Sequence, residues 1–240
     1  MHNQKYCSIY LPVWNNLPYT KQCLETLFQY THYPFELIVI DNGSTDNETP
    51  QYLKNLEPDT PFLRGYQVIT NPQNLGTTKA GNQGLQAATG DYIAHISNDL
   101  IFAENWLEDL IEYLEQNLEV GCVCPYTLLG GDQKTFPERK KKHIEETKGE
   151  ATEGFLAACY VMTRELVDTV GYYDEQFEVA TWEDVDYWWR MCRNGYKPMC
   201  LHKVVLYHYG MVTRKRFKGN YEQENHKKFC KKYGISFPKD

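Results

Sequence analysis

The stretch from residue 71 to residue 99 constrains the fold of this 240-residue chain more than any other part of the sequence. Its opening Asn-Pro dipeptide predicts the end of a strand, because the residue before a proline is disfavoured in the helical region. Gly76 permits a turn, and the hydroxyls of Thr77 and Thr78 are predicted N-caps for a helix rich in small residues. After that helix, a short apolar strand carries Asp99 to its carboxyl end, where open α/β sheets hold ligands. An ordinary αβ unit with a solvated aspartate is an alternative interpretation of the same pattern.

Elsewhere in the chain, apolar runs alternate with helical segments. Residues 36–40 form a continuous apolar run, which is typical of a buried parallel strand, and strand–helix–strand units are almost always right-handed. The sequence therefore predicts an α/β fold with a mostly parallel central sheet flanked by helices. The predicted strands are residues 6–13, 36–40, 66–70, 92–96, 120–124, 155–162 and 201–208, and the predicted helices include residues 18–30, 104–117 and 164–170.

Two segments stand apart from this alternation. Residues 129–152 are rich in Gly, Lys and Glu and have no periodicity, which predicts a mobile loop that closes over a bound substrate. Residues 213–240 are basic and aromatic, and a helix is predicted there from about Tyr221.

The charge of the chain bears on its partners. The formal net charge is −7, which argues against broad nucleic-acid binding as the main activity. Basic residues are nevertheless clustered, and each cluster is either a local positive face or ordinary solvated surface. The clusters are residues 139–142, 214–218 and 227–232.

Cysteine usage and hydropathy bear on the compartment. Eight cysteines are scattered through predicted strands and helices, and the chain opens on a strand without a signal peptide, so we expect reduced thiols in a cytoplasmic protein. Cys122 and Cys124 alternate along a predicted strand without a second ligand pair, so zinc is not predicted. No apolar run has the length of a membrane span, so any contact with a membrane is expected to be peripheral.

An acidic turn, residues 41–46, follows the second predicted strand. Asp, Asn and Gly all favour tight turns, so the segment is a turn under any interpretation. A carboxylate at the carboxyl end of a central strand can also accept a hydrogen bond from a nucleobase imide N–H. Uracil and thymine share that donor, so Asp41 is a candidate base-binding residue.

A second acidic constellation is Glu-Asp-Val-Asp at residues 183–186, followed by Arg190. Structural interpretations exist for all of it. Asp186 and Arg190 have the spacing of a helical salt bridge, and acidic residues are favourable at a helix N-terminus. His208 lies at the end of the last predicted strand, where a lone histidine is usually structural.

Together these motifs resemble the core of family 2 glycosyltransferases, in the rhamnosyltransferase-like branch. The resemblance covers roughly residues 5–210 and rests on Asn74, Gly76, Ala80, Asn82, Gly84, Ala88, Gly90, Asp91, Tyr92, Asp99 and the Glu-Asp-x-Asp-x-x-x-Arg pattern at residues 183–190. It implies a GT-A fold in residues 1–212, with a nucleotide-binding half, residues 1–100, and an acceptor half, residues 101–212. The basic helical tail, residues 213–240, and the 129–152 loop lie outside the resemblance.

The resemblance also implies roles for individual residues. Asp99 and His208 would bind Mn²⁺ or Mg²⁺, although Ser97 replaces the first acid of the family's Asp-x-Asp motif. Asp184 would be the general base. The implied acceptor-binding residues are Trp182, Glu183 and Asp186. The implied donor-binding residues are Pro12, Val13, Trp14, Asn15, Asp41, Ser44, Asn74, Gly76, Lys79, Asn82, Ser97 and Asn98; for Lys79 an ordinary surface position is the alternative.

The function implied is inverting transfer of a sugar from a nucleotide diphosphate sugar, UDP- or dTDP-linked, to a hydroxyl acceptor. The acceptor is a glycan, a lipid-linked sugar, a protein or a hydroxylated base, and the sequence does not choose among them. A nucleotidyltransferase is one rival, but such enzymes carry a Gly-rich basic loop where this chain has residues 12–15. A non-catalytic nucleotide-sugar binder is the other, and Ser97 in place of an acid favours it.

Overall fold

The computed structural model describes residues 4–210, 212 and 221–235. The strands of this part are β1 (Cys7–Val13), β2 (Phe35–Asp41), β3 (Leu63–Thr70), β4 (Tyr92–Ile96), β5 (Leu100–Ile101), β6 (Cys122–Leu129), β7 (Ala151–Glu153), β8 (Cys159–Thr163) and β9 (Met199–His208). The helices are α1 (Leu17–Tyr30), α2 (Glu48–Lys54), α3 (Gly76–Ala87), α4 (Trp106–Gln116), α5 (Phe136–Thr147), α6 (Arg164–Val170), α7 (Glu183–Arg193) and α8 (Tyr221–Tyr233).

The strands form one sheet in the order β3-β2-β1-β4-β8-β6-β9-β5, with β7 also paired to β9. Its first four strands are parallel, as their apolar sequences predict. Beyond β4 the sheet is mixed, because β8 runs antiparallel to both β4 and β6 while β6 and β9 are parallel. The predicted α/β class is confirmed, and its run of consecutive parallel strands is β3, β2, β1 and β4.

Apolar cores cover both faces of the sheet. On one face α1 and α4 pack through residues such as Leu24, Leu27 and Leu110. The other face is covered by α3, α6 and α7. The small residues of α3 allow a close approach there: a Cβ placed on Gly84 would lie 2.5 Å from the Tyr10 ring.

The segment predicted as a mobile loop, residues 129–152, is ordered secondary structure, so that prediction was wrong. It contains α5 and the short strand β7. No residue of α5 is buried, which explains why hydrophobic periodicity missed it. The polar side chains of α5 make its contacts instead. The Nζ atoms of Lys141 and Lys142 lie 3.9 and 3.7 Å from the carboxylates of glutamates four residues further on. The His143 ring stacks on Tyr126 with 3.8 Å between centroids.

The predicted C-terminal helix is present as α8, and it packs against the domain. Lys232 of α8 forms ion pairs with Asp174 and Asp186, and the His226 ring stacks on Trp182 with centroids 4.5 Å apart. The basic run at residues 214–218 lies outside the described residues.

Two further observations concern the chain as a whole. All eight cysteines fall in the described part and are free thiols. Among the helices described, none combines the length and apolar character that crossing a membrane requires.

Candidate functional site

A cleft of about 310 Å³ opens where the carboxyl ends of β1, β2, β4 and β9 meet. Ends of parallel strands lie at one edge of a sheet, so residues that are distant in sequence converge there. The predicted site residues that line the cleft are Pro12, Val13, Trp14, Asn74, Ser97, Asn98, Asp99, Glu183, Asp184 and His208.

Asp99 and His208 are brought together by the pairing of β5 with β9. Leu100 lies opposite His208 in that antiparallel pair, and the Tyr209 amide donates to the Asp99 carbonyl at 3.0 Å. The His208 Nε2 lies 3.1 Å from Asp99 Oδ1. The side chain of Asp99 is only 9% exposed and that of His208 18% exposed, so both are sheltered at the cleft wall.

This donor set fits a divalent cation that is shared with a substrate diphosphate. One carboxylate and one imidazole supply two ligands, and Mg²⁺-type ions are commonly held by one or two protein groups together with phosphate oxygens and water. Among the described residues, no group of three or more His, Cys, Asp or Glu side chains is placed to hold an ion by itself. A cation here would therefore depend on the diphosphate for further ligands.

Ser97 and Asn98, which precede Asp99, also line the cleft. The Ser97 amide donates to Ala158 at 2.9 Å, and the Asn98 side chain donates to the Thr20 hydroxyl at 3.0 Å. These hydrogen bonds hold residues 97 and 98 in place, directly before Asp99.

The acidic turn after β2 is pinned to the end of β1. Ser44 donates its amide to Asp41 at 3.0 Å, and its hydroxyl accepts the Asn15 amide at 2.8 Å. The Asn15 side chain in turn accepts the amides of Thr45 and Asp46. Asp41 is 2% exposed and stands beside the cleft wall instead of on it. Asn15 and Ser44 thus shape the turn.

A buried amide network, which sequence reasoning missed, supports the same edge of the sheet. Asn42 accepts hydrogen bonds from the Asn71 side chain and the Leu75 amide, both at 3.0 Å. Its own amide group donates to Asn74, and Asn71 exchanges hydrogen bonds with Gln83. The sequence signal that could have revealed this network is the asparagine that follows each of β2 and β3, because short amide side chains can connect the two strand ends.

Glu183 and Asp184 begin α7, and both line the cleft. The Thr77 hydroxyl donates to Glu183 Oε1 at 2.8 Å, which links the acidic pair to the start of α3. Thr77 and Thr78 were predicted N-caps of α3. The Thr78 hydroxyl instead donates to the Phe177 carbonyl, and the Thr77 hydroxyl shares its hydrogen between Glu183 and the more distant Val179 carbonyl at 3.2 Å. The Asn74 side chain accepts the Gly76 amide.

Asp186 and Trp182, predicted to bind the acceptor, do not line the cleft. The Asp186 side chain is 0% exposed and bonds to Arg190 at 2.9 Å, to Lys232 at 2.5 Å and to the Tyr233 hydroxyl at 2.7 Å. Trp182 packs against α8. Both residues therefore connect α7 and α8. The complete burial of Asp186 corrects its acceptor-binding interpretation, and an acceptor-binding role of Trp182 stays a prediction.

Besides Asn15 and the two residues of the acidic turn, three further predicted donor-binding residues do not line the cleft. Gly76 and Lys79 line a second pocket, beside Val179. Asn82 is buried, accepting the Tyr173 amide at 2.8 Å and donating to its carbonyl at 3.1 Å. Asn82 fixes the segment before α7 instead of facing a ligand.

The floor of the cleft is a histidine–tyrosine cluster that the sequence did not reveal. His95, Tyr160 and Tyr173 line it, and Tyr10 beneath them bonds to Tyr173 at 2.9 Å and to Tyr160 at 3.3 Å. His95 Nδ1 is buried without a hydrogen-bond partner. Burial lowers the pKa of His95 to about 4, so the floor is uncharged at neutral pH.

Comparison with known proteins decides the family. The model described as glycosyl transferase family 2 matches residues 8–171, well over half of the chain. The chain belongs to this family.

Curated relatives are distant and longer. An uncharacterized protein of Sinorhizobium fredii, y4gI, is 24% identical over 89% of this chain and 25% of its own length. An uncharacterized glycosyltransferase of Rickettsia bellii is 32% identical over 46% of this chain and 15% of its own length. The O-antigen biosynthesis protein RfbC of Myxococcus xanthus is 25% identical over 87% of this chain and 18% of its own length. This chain thus spans a quarter or less of these relatives.

Solved structures establish the GT-A fold. GalNAc-T7, crystallised with UDP, GalNAc and Mn²⁺, superposes with a TM-score of 0.73 at 15% identity, over 96% of this chain and 48% of that one. The mannosyltransferase PcManGT of Pyrobaculum calidifontis, in complex with GDP-Man and Mn²⁺, has a TM-score of 0.66 at 20% identity, over 86% and 57%. The predicted family and fold are confirmed.

Proposed function

We propose that this chain transfers a sugar from a nucleotide diphosphate sugar to a hydroxyl acceptor, with inversion at the anomeric carbon. The observation that carries the proposal is that one cleft is lined both by the hydrogen-bonded Asp99–His208 pair and by Asp184. Family membership and the Mn²⁺-containing structural neighbours support it.

The proposed mechanism is a single displacement. Asp184 accepts the proton of the acceptor hydroxyl, the acceptor oxygen bonds to the anomeric carbon, and the nucleoside diphosphate leaves with the electrons of the broken C–O bond. Asp99 and His208 would hold the divalent cation, Mn²⁺ or Mg²⁺. When bound, that cation neutralises charge on the leaving diphosphate. The uncharged floor at His95 suits a neutral sugar.

We propose a uracil or thymine base in the donor, bound near Asp41 and the end of β1. Asp41 is the register partner of Val13 at the end of β1, and residues 12–14 line the cleft. Calorimetry of UDP, dTDP, GDP and ADP, each with and without Mn²⁺, tests this. Tighter binding of the pyrimidine nucleotides, lost in Asp41→Asn, is expected. Equal affinity for purine and pyrimidine diphosphates contradicts the Asp41 assignment.

Among hydroxyl acceptors we propose a growing surface glycan, since one relative is named as an O-antigen biosynthesis protein. A non-catalytic nucleotide-sugar binder is the second candidate, because Ser97 replaces an acid beside Asp99. Slow hydrolysis of a nucleotide sugar in the absence of acceptor separates the two, since a binder releases no diphosphate.

A further inference from the structure

The segment that leads into the acidic pair has an unusual backbone. Val179, Thr181 and Trp182 have φ angles of 67°, 73° and 69°. Positive φ is a true outlier for β-branched residues such as valine and threonine. Such a conformation is unfavourable and persists only where its surroundings hold it. Something must therefore hold residues 178–182, directly before Glu183 and Asp184.

One side of this segment is held by the start of α3. The Thr77 amide donates to the Val179 carbonyl at 2.8 Å, and the Thr78 hydroxyl donates to the Phe177 carbonyl at 2.5 Å. Gly76 makes the approach possible, because a Cβ at that position would lie 3.0 Å from the Val179 nitrogen.

On the other side, three backbone carbonyls of the segment are bound by one side chain of α8. Asn225 is 1% exposed, and its Nδ2 donates to the carbonyls of Glu178 at 2.9 Å, Ala180 at 3.1 Å and Thr181 at 3.0 Å. An amide –NH₂ has two hydrogens, so the three carbonyls share them. These carbonyls converge on one point because of the positive φ angles between them. Asn225 therefore stabilises the strained conformation itself.

Neighbouring contacts seat α8 in this position. Lys228 donates to the Gln176 carbonyl at 2.6 Å, before the segment, and Lys232 pairs with Asp186, after it. Contacts from α8 thus flank the segment at both ends, with Asn225 at its centre.

We propose that Asn225 is a positioning residue of the site: by holding residues 178–182 in their strained form, it sets where Glu183 and Asp184 stand in the cleft. The proposal rests on the proposed transferase function. It makes α8, which lies outside the family match at residues 8–171, a working part of the catalytic domain. Residues that bind the donor, on β1 and after β4, have no contact with Asn225 among those described.

Asn225→Asp tests the proposal with little change of shape. A carboxylate cannot donate, and it would face three carbonyl oxygens, so the segment should leave its strained form. A misplacement of about 1 Å at a catalytic group can cost roughly 10²-fold in rate. We expect turnover of donor hydrolysis to fall by that order, measured as UDP release from UDP-sugars with Mn²⁺. UDP affinity by calorimetry should change less than about twofold, because the donor wall is intact.

Gln223→Glu is the matched control. It makes the same amide-to-carboxylate change on the same helix, but at an exposed position. Hydrogen exchange of the peptide covering residues 177–187 is measured in the wild type and both variants. Faster exchange is expected in Asn225→Asp only. Where the aspartate variant does not fold, Asn225→Ser replaces it, since its hydroxyl donates one hydrogen bond and should give intermediate turnover.

The outcomes separate this inference from the proposed function. Unchanged exchange in the 177–187 peptide, or faster exchange with wild-type turnover, overturns the positioning role. A turnover loss that is matched by an equal loss of UDP affinity also overturns it, because the defect is then general. A wild-type protein that hydrolyses no nucleotide sugar refutes the proposed transferase function instead, and with it the inference.

Discussion

Replacing Asp186 with Asn should destabilise the fold while leaving nucleotide binding intact. The Asp186 carboxylate is fully buried, and its two oxygens bond to Arg190, Lys232 and the Tyr233 hydroxyl. Burial by itself lowers the pKa of Lys232, and its hydrogen bonds to Asp174 and Asp186 outweigh that effect, so the pKa is raised. The carboxylate is thus the common partner of α7 and α8.

The magnitude follows from the geometry. Removing one partner of a buried ion pair costs about 3–5 kcal/mol, because the remaining charge loses its compensation. Here the cations recover some hydration, since the side chain of Arg190 is 19% exposed and that of Lys232 is 26% exposed. Asn also keeps one acceptor oxygen. We therefore expect a loss of about 2–4 kcal/mol in the free energy of unfolding. For a chain of this size that corresponds to a fall in Tm of roughly 4–16 °C.

Thermal unfolding of the wild type, Asp186→Asn and Asp184→Asn measures this. Asp184 is half-buried at the cleft, so the free energy of unfolding of Asp184→Asn should lie within about 0.5 kcal/mol of the wild-type value. At a temperature where Asp186→Asn is fully folded, we expect it to retain nucleotide binding. A Tm for Asp186→Asn equal to that of the wild type would refute the assignment of Asp186 to the fold. If Asp186→Asn lost turnover while Asp184→Asn stayed active, the assignment of the general base to Asp184 would be wrong.

Two further predictions concern the cleft. Ser97→Asp should lower the Mn²⁺ concentration that UDP binding requires in calorimetry, since a second carboxylate adds negative charge beside Asp99. An unchanged Mn²⁺ requirement would exclude Ser97 from the coordination shell. Burial lowers the pKa of His95 from 6.5 to about 4, so below pH 6.5 the unfolded chain binds a proton that the folded chain does not. Stability should therefore fall between pH 6.5 and 4, by up to about 3 kcal/mol from this group. His95→Phe should remove that part of the slope in urea unfolding; parallel pH curves for the two proteins would contradict it.

The parts of the fold that follow from local patterns were predictable. Continuous apolar runs identified the parallel strands, and the strand ends placed Asp99 and His208, which are far apart in sequence, at one edge. The helix α5 was not predictable from periodicity, because none of its residues is buried.

The roles of individual site residues depended on tertiary contacts that no local pattern encodes. Asp186 fits a catalytic motif, but its surroundings are set by Lys232 and Tyr233, which lie 46 and 47 residues further along the chain. Asn82 fits the same family pattern, yet it is occupied by the Tyr173 backbone. The Asn225 contacts could not be inferred either, because a single asparagine in a basic helix carries no sequence signal.

The most direct test of the proposed function is nucleoside diphosphate release from a panel of UDP-, dTDP- and GDP-sugars with Mn²⁺, by the wild type and by Asp184→Asn. The amide keeps the shape of the side chain but cannot take a proton, and loss of a general base costs ~10²–10⁴-fold in rate. We predict release by the wild type from at least one donor, and a loss of that order in Asp184→Asn with nucleotide affinity nearly unchanged. Equal release by both proteins would show that the Glu183–Asp184 segment is only a helix start, and no release from any donor by the wild type would contradict the transferase function.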